Sequence, residues 1–159
     1  MANAAFDEFL KTISDDNKQS AVAMHELLLQ NGCTCDVKPA KSGFLVSYLA
    51  GKPARTVASF ICRKTGVKLR VYPKSLGQYE PFLDTLPPAL KKEIKKASAC
   101  KRLLDPSACN PKCGMGYDFC LDGERQQKCR YMAFQLTLSP KTSPFIQQFL
   151  AQELACQSP

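Results

Sequence analysis

Apolar residues recur at helical spacing in the N-terminal part of the chain. Four of them share one face of a helix predicted over residues 4–13: Phe6, Phe9, Leu10 and Ile13. Asp15 and Asp16 supply the negative charge that favours a helix start, and Gly32 suits a helix end. A second helix is therefore predicted over residues 17–30, and each of the two helices has an apolar face to bury.

The period changes to two at Cys33, which indicates strands. Strands are predicted over residues 33–38, 44–49, 55–62 and 67–72, with short turns between them. Short connections favour an antiparallel meander of three or four strands. We expect the two helices to cover its apolar face and to leave Lys68 and Arg70 on the solvent face.

The C-terminal half predicts a helix, a hairpin and a closing helix. Pro87 and Pro88 start a helix that delivers Cys100 from its last turn. Residues 117–121 and 129–138 are the arms of a hairpin around Asp122-Gly123, and Pro144 opens a closing helix. The predicted fold class is α+β in a single domain over residues 1–159. It has a helix-helix-meander-helix core (1–99), a cysteine-rich hairpin module (100–141) and a closing helix (142–156).

This order of elements carries a resemblance. Two helices, a meander ending in Val71-Tyr72-Pro73 and a further helix make residues 6–98 similar to the bacterial iron-chaperone-like domain family. The resemblance implies an α+β fold with a curved sheet and a role with iron, but the cysteine-rich module departs from that family's pattern. The string running from Cys-Lys-Arg-Leu-Leu to Lys-Cys-Arg-Tyr also resembles one in uncharacterised small bacterial proteins, which implies no function.

Residues 100–129 hold five of the nine cysteines and few apolar side chains. Such a segment cannot offset its chain entropy by burial, so it needs a cross-link. The start of the chain resembles no export signal, which predicts the cytoplasm, where thiols stay reduced. An odd number of cysteines also prevents complete pairing within one chain. Metal is therefore favoured over disulfides.

The spacing predicts the ligands. Cys109 and Cys113 are separated by three residues, as in zinc knuckles. Cys100 and Cys129 complete a structural zinc site of four cysteines, with Cys120 as the alternate ligand. Basic neighbours such as Lys128 would compensate the charge of four thiolates. Ordinary reduced cysteines are the first alternative, and a [4Fe–4S] cluster ranks below them because the tightly spaced ferredoxin run is absent.

The net charge of +8 is unevenly distributed. Residues 1–36 carry two lysines and six acids, whereas residues 37–79 carry nine basic side chains and no acid. This stretch predicts a surface for an anionic ligand or nucleic acid. The predicted contacts are of two types: phosphate contacts from Lys38, Arg55, Lys68 and Arg70, and stacking from Tyr48 or Tyr72. The alternative is a solvated face whose cations pair with the acids of the first two helices.

No catalytic residue is predicted. His25 is the sole histidine and is expected at the surface or boundary, and the sequence holds no phosphate-binding glycine loop and no membrane-spanning run. Cys33, Cys35 and Cys62 are expected in the core, and Cys156 on a helix. We therefore expect a cytoplasmic, zinc-containing binding or interaction protein rather than an enzyme. The alternative is a thiol-redox or metal-handling protein.

Overall fold

The computed structural model describes residues 4–41, 43–64, 66–105, 107 and 116–157. Cys109 and Cys113 lie outside these ranges. The helices within them are α1 (Ala4–Lys11), α2 (Asp15–Gln30), α3 (Pro88–Lys96), α4 (Lys101–Leu104) and α5 (Ser143–Gln157), with 3-10 helices at Leu76–Gln78 and Glu80–Thr85. No helix in the described ranges is long and apolar enough to cross a lipid bilayer.

Seven strands form two antiparallel sheets in the described residues. The strands are β1 (Thr34–Ala40), β2 (Gly43–Ala50), β3 (Arg55–Arg63), β4 (Gly66–Val71), β5 (Tyr117–Leu121), β6 (Glu124–Lys128) and β7 (Gln135–Thr137). The larger sheet has the order β1-β2-β3-β4-β7, and β5 pairs with β6. The α+β class, the four-stranded meander and the closing helix are thus confirmed.

The second hairpin differs from its prediction. Asp122 and Gly123 have φ angles of 52° and 80°, as a two-residue turn requires, so the partner strand begins at once with Glu124. The predicted arm over residues 129–138 is instead divided. Its first residues form a turn, and Gln135–Thr137 becomes β7 beside β4. The C-terminal part of the chain therefore completes the main sheet.

The core lies between the inner face of the large sheet and the helices. Phe9 of α1 packs on Phe60 of β3 with ring centroids 5.3 Å apart, and Met24 and Leu28 of α2 are fully buried. Burial of side chains of this size contributes about 1.5–3 kcal/mol each. The two N-terminal helices are therefore held to the sheet by apolar packing, as their periodicity predicts.

The small sheet joins this core. Phe119 and Leu121 alternate inward on β5 and are buried, and the Phe119 ring lies 5.3 Å from that of Phe134. Residues 100–129 were expected to contribute no core, and this expectation is wrong for the hairpin. Two inward positions on one short strand are enough to dock the hairpin without a cross-link.

Candidate anion-binding face and cysteine site

Cys100 lies in the extended segment between α3 and α4, as the N-cap residue of α4, rather than in the last turn of a helix. Helix α3 stops at Lys96, and Ala99 then forms an antiparallel bridge with Lys128. The N–H of Cys100 donates to the carbonyl of Gln127 at 2.9 Å, and the N–H of Cys129 donates to that of Ser98 at 2.7 Å. In this register Cys100 and Cys129 are diagonal neighbours on one face of the ladder, which keeps their side chains close.

Gly116 closes over Cys100. Its N–H donates a hydrogen bond of 3.2 Å to Cys100 Sγ, and Cys100 is buried. A Cβ at position 116 would lie 2.1 Å from the carbonyl oxygen of Lys128 and 2.9 Å from that sulfur. Only glycine fits this close approach.

Cys120 occupies a different place. It is exposed on β5 opposite Arg125, and its N–H donates to Oε1 of Glu80 at 2.8 Å. The segment that contains Cys100 and strand β5 lie on opposite sides of β6, and Cys120 is two residues further along β5 than the position level with Cys100. The Cα atoms of Cys100 and Cys120 are therefore separated by roughly 12 Å. The geometry pairs Cys100 with Cys129 and leaves Cys120 apart.

No three metal-ligating side chains converge within the part of the chain that the structure describes. Two members of the predicted four-cysteine set, Cys109 and Cys113, fall outside that part. The structure brings together the other two, Cys100 and Cys129. The four-cysteine zinc site therefore stays a prediction.

The remaining thiols are tied to the core. Cys33 is buried and Cys35 half-buried, and burial raises the pKa of both thiols. A raised pKa keeps a thiol protonated and poorly nucleophilic. None of the described cysteines forms a disulfide. The thiols at positions 33 and 35 thus act as packing groups.

The register of the large sheet places three predicted cations on one face. Lys38, Leu45, Ile61 and Lys68 form one row across the sheet, and Asp36, Ser47, Ser59 and Arg70 form the next row on the same side. We call this side, which faces away from α1 and α2, the outer face. Lys38, Lys68 and Arg70 share it, as their alternation predicts.

Two of these cations already have acidic partners. Lys38 Nζ lies 3.5 Å from Oδ2 of Asp36, and Lys68 Nζ lies 3.1 Å from Oε2 of Glu93 on α3. The alternative interpretation expected partners on the first two helices, but these acids lie on β1 and α3. The Lys68–Glu93 pair is therefore partly buried, whereas the Lys38–Asp36 pair is exposed and weak.

Arg55 lies on the opposite face. A β-bulge between Tyr48 and Leu49 makes Leu49 face Thr56 and Ala50 face Arg55, with Val57 as the extra residue. An extra residue reverses the alternation beyond it. Arg55 therefore turns inward, where Nη2 lies 3.6 Å from Oε2 of Glu153 and Nη1 donates to the Tyr72 carbonyl at 3.2 Å.

A groove at one end of the outer face collects cations without acidic partners. It has a volume of about 220 Å³, and its lining includes Lys41, Arg63 and Arg70. None of these three has a carboxylate within 4.0 Å among the described residues. Arg70 instead donates to the Tyr72 hydroxyl at 3.0 Å. This groove carries positive charge that the fold does not neutralise.

A second cavity continues the basic surface at the other end of β3. It has a volume of about 210 Å³ and is lined by Arg55, Thr56, Tyr72, Arg130 and Tyr131. The Tyr131 ring lies edge-on to that of Tyr72 at 6.1 Å and is 49% exposed. Arg70 of the first groove donates to the Tyr72 hydroxyl, so the two cavities meet at this pair of side chains. We call the surface formed by Lys41, Arg63, Arg70, Tyr72, Arg130 and Tyr131 the basic stripe.

Sequence reasoning missed Arg130 and Tyr131. They directly follow Cys129, and the turn after Cys129 brings Tyr131 beside Tyr72. The Cys129 carbonyl accepts hydrogen bonds from the N–H groups of Met132 and Ala133 at 3.0 and 2.9 Å. The sequence contained one signal for this site: Tyr131 directly follows Arg130, which is adjacent to the predicted ligand Cys129.

Two expectations about aromatic and titratable groups are corrected. Tyr48 is fully buried, so it offers no stacking surface. His25 is also buried; its ring stacks on Phe6 at 3.8 Å, and its Nδ1 shares a 2.7 Å hydrogen bond with the Tyr48 hydroxyl. Burial lowers the pKa of His25. Met24 and Leu28 place this side of α2 on the sheet, and His25 lies beside them.

Comparison with protein-family models, with curated proteins and with solved structures gives no match. The resemblance of residues 6–98 to the iron-chaperone-like domain family stays a prediction.

Proposed function

We propose that this protein binds single-stranded nucleic acid on the basic stripe and is not an enzyme. Lys41, Arg63, Arg70 and Arg130 contact phosphates, and Tyr131 stacks on a base. Proteins that bind single strands combine a positive groove with aromatic rings in this way. The observation that carries the proposal is the juxtaposition of unneutralised arginines with an exposed ring on one sheet face.

The proposal revises the predicted contact set. Arg70 remains from the four predicted cations, whereas Lys38 and Lys68 have acidic partners and Arg55 is turned towards Glu153. Exposed ion pairs are weak, so Lys38 can still add to the long-range attraction of a polyanion. The main phosphate contacts shift to cations with no carboxylate beside them.

A structural zinc ion is part of the proposal. Cys100 and Cys129 supply two thiolates from one ladder, and Cys109 and Cys113 supply the others. Cys129 immediately precedes Arg130 and Tyr131, so a metal there would fix the end of the basic stripe. Support comes from the bridge that holds Cys100 and Cys129 as diagonal neighbours and from the amide of Gly116 on Cys100 Sγ. Thiolate ligands of this kind belong to a reducing compartment, and we place the protein in the cytoplasm.

The nucleic-acid proposal is tested with a labelled single-stranded RNA of mixed sequence and fluorescence anisotropy. Arg63→Gln and Arg130→Gln should each weaken binding and reduce the slope of log K against log salt by about 0.7. Tyr131→Ala should weaken binding by about tenfold, a typical loss for one stacked base, with the salt slope unchanged.

Lys11→Gln is the matched control, because it removes one charge from α1 on the other side of the sheet. It should leave the affinity within about twofold of the parent. No binding to the RNA at low salt would overturn the proposal. Equal losses from Lys11→Gln and Arg63→Gln would also overturn it, because they would indicate attraction to net charge alone.

The zinc proposal is tested by metal analysis of the purified protein and its variants. The parent should hold one zinc ion per chain, and Cys100→Ser and Cys129→Ser should lose it. Cys62→Ser and Cys120→Ser should keep it. Loss in Cys120→Ser with retention in Cys129→Ser would select the alternate ligand. A folded parent protein without metal would overturn the site.

A further inference from the structure

A cavity of about 670 Å³ opens where the β2–β3 turn meets the end of α5. It lies on the inner side of the sheet end and shares Arg55 with the second cavity of the basic stripe. Its walls come from four parts of the chain: the end of α2, the β2–β3 turn, the segment after β4, and α5. This volume is in the range of small-molecule sites, and its position among four segments makes it concave.

The lining is positively charged. Lys52, Arg55 and Lys74 contribute three cations, and no acidic side chain lines the cavity among the described residues. The Lys52 and Lys74 side chains are exposed and have no carboxylate within 4.0 Å in the described ranges. The cavity therefore has two free ammonium groups at its opening and one guanidinium in its wall.

Glu153 stabilises the part of the cavity wall that contains Arg55, Lys74 and Ser75. Its carboxylate is fully buried and accepts hydrogen bonds from the N–H groups of Lys74 and Ser75 at 2.9 and 3.1 Å. It also accepts from the Tyr79 hydroxyl at 2.6 Å and faces Arg55. One carboxylate thus ties β3, α5 and the segment after β4 together. The site is preformed, which lowers the entropy cost of binding.

The remaining lining is mixed, with the polar side chains of Asn31 and Ser75 and the thiol of Cys156 beside apolar residues. Ala50, Pro53 and Leu154 form the part of the wall between the cations. An apolar wall beside a few fixed charges is the usual arrangement for a small organic ligand with one charged group. A nucleic-acid strand would instead need a continuous groove.

We propose that this cavity binds a small organic phosphate. Lys52 and Lys74 contact the phosphate group, Arg55 adds positive charge from the wall, and the carbon skeleton lies against Pro53 and Leu154. Three cations against the one carboxylate of Glu153 leave a charge of about +2, which matches a phosphate monoester near neutral pH. This site shares Arg55 with the edge of the basic stripe but uses different contact residues.

The test uses glycerol 3-phosphate as the probe and follows backbone amides by heteronuclear NMR. Saturable shifts should appear at Gly32, Gly51, Ala54 and Ser75, and sodium chloride at the same ionic strength should not reproduce them. Lys52→Gln and Lys74→Gln should each weaken binding by about tenfold, as expected for a charge-assisted hydrogen bond. Inorganic phosphate should bind more weakly because it lacks the carbon skeleton.

Lys92→Gln, which removes an exposed lysine from α3, is the matched control and should leave binding unchanged. Absence of saturable shifts at these amides would overturn the proposal. Equal losses from Lys92→Gln and Lys74→Gln would do the same. Tyr131→Ala should not alter the probe's affinity, so failure of the nucleic-acid proposal and failure of this one are distinguishable.

Discussion

The backbone N–H of Gly116 points at Sγ of Cys100 across 3.2 Å. This contact joins the chain that enters β5 to the segment that leaves α3, at a position where a Cβ would meet a backbone oxygen at 2.1 Å. Backbone atoms cannot move aside as a side chain can. The contact therefore makes Gly116 the most sensitive glycine of the cysteine-rich part that the structure describes.

Gly116→Ala should destabilise the protein by about 2 kcal/mol, because the added methyl group must displace the Lys128 carbonyl or Cys100. Urea denaturation measures the loss as a lower midpoint. Gly77→Ala is the control: nothing lies within 4 Å of a Cβ at position 77, and its φ angle is outside the left-handed region. Its midpoint should be unchanged or slightly higher. Equal midpoints for the two variants would refute the close approach.

Metal removal should affect one end of the basic stripe more than the other. Chelation of zinc should release Cys129 and with it Arg130 and Tyr131, whereas Arg63 is held by β3. Affinity for single-stranded RNA should then fall by more than the roughly tenfold loss of Tyr131→Ala, because Arg130 is released together with the ring. Adding Tyr131→Ala to the chelated protein should cost little more. A full additional loss would show that the metal does not position this ring.

The free energy of unfolding should decrease as pH falls, because His25 is buried. Burial holds its folded pKa below the ordinary value of 6.5, so the neutral form is favoured in the folded state. Its contribution is complete above pH 6.5 and is lost as pH falls from there towards the lowered folded pKa. Urea denaturation between about pH 7.5 and pH 5 should show stability falling by up to ~1.4 kcal/mol per pH unit.

This slope can be attributed to one residue, because His25 is the sole histidine of the chain. His25→Gln keeps an acceptor for the Tyr48 hydroxyl but does not titrate, so it should flatten the slope. Glu124→Gln, a change at an exposed position of the β5–β6 hairpin, should preserve it. A slope that persists in His25→Gln would mean that another group carries the dependence.

The sequence predicted what short-range periodicity controls. Helical spacing around Phe9 and Leu28 and alternation around Leu69 predicted which sides face the core, and the structure confirms them. The face shared by Lys68 and Arg70 follows from the same alternation. In each case the pattern depends only on residues two to four positions apart, so a single sequence is enough to predict which side of the element faces the core.

Long-range pairing could not be predicted in this way. The β-bulge at Val57 reverses Arg55 because of how β3 meets β2, and β7 joins β4 across more than sixty residues of chain. The burial of His25 depends on a hydroxyl from β2, which the sequence of α2 does not reveal. The sequence therefore predicted only part of the candidate site. It identified Arg70 on β4, but it did not identify Arg130 and Tyr131, which lie in a turn far away in the sequence.

Glu153 should be the most costly acidic side chain to neutralise. Its fully buried carboxylate accepts three hydrogen bonds and faces Arg55 at 3.6 Å. Glu153→Gln leaves the guanidinium without its counter-charge and turns an amide N–H₂ towards other donors, so a loss of about 2–4 kcal/mol is expected. Thermal and urea unfolding measure it, with Glu8→Gln on α1 as the exposed control that should stay near the parent. If Glu153→Gln unfolds at the same urea concentration as Glu8→Gln, this carboxylate does not hold the wall of the cavity, and the preformed phosphate site loses its physical basis.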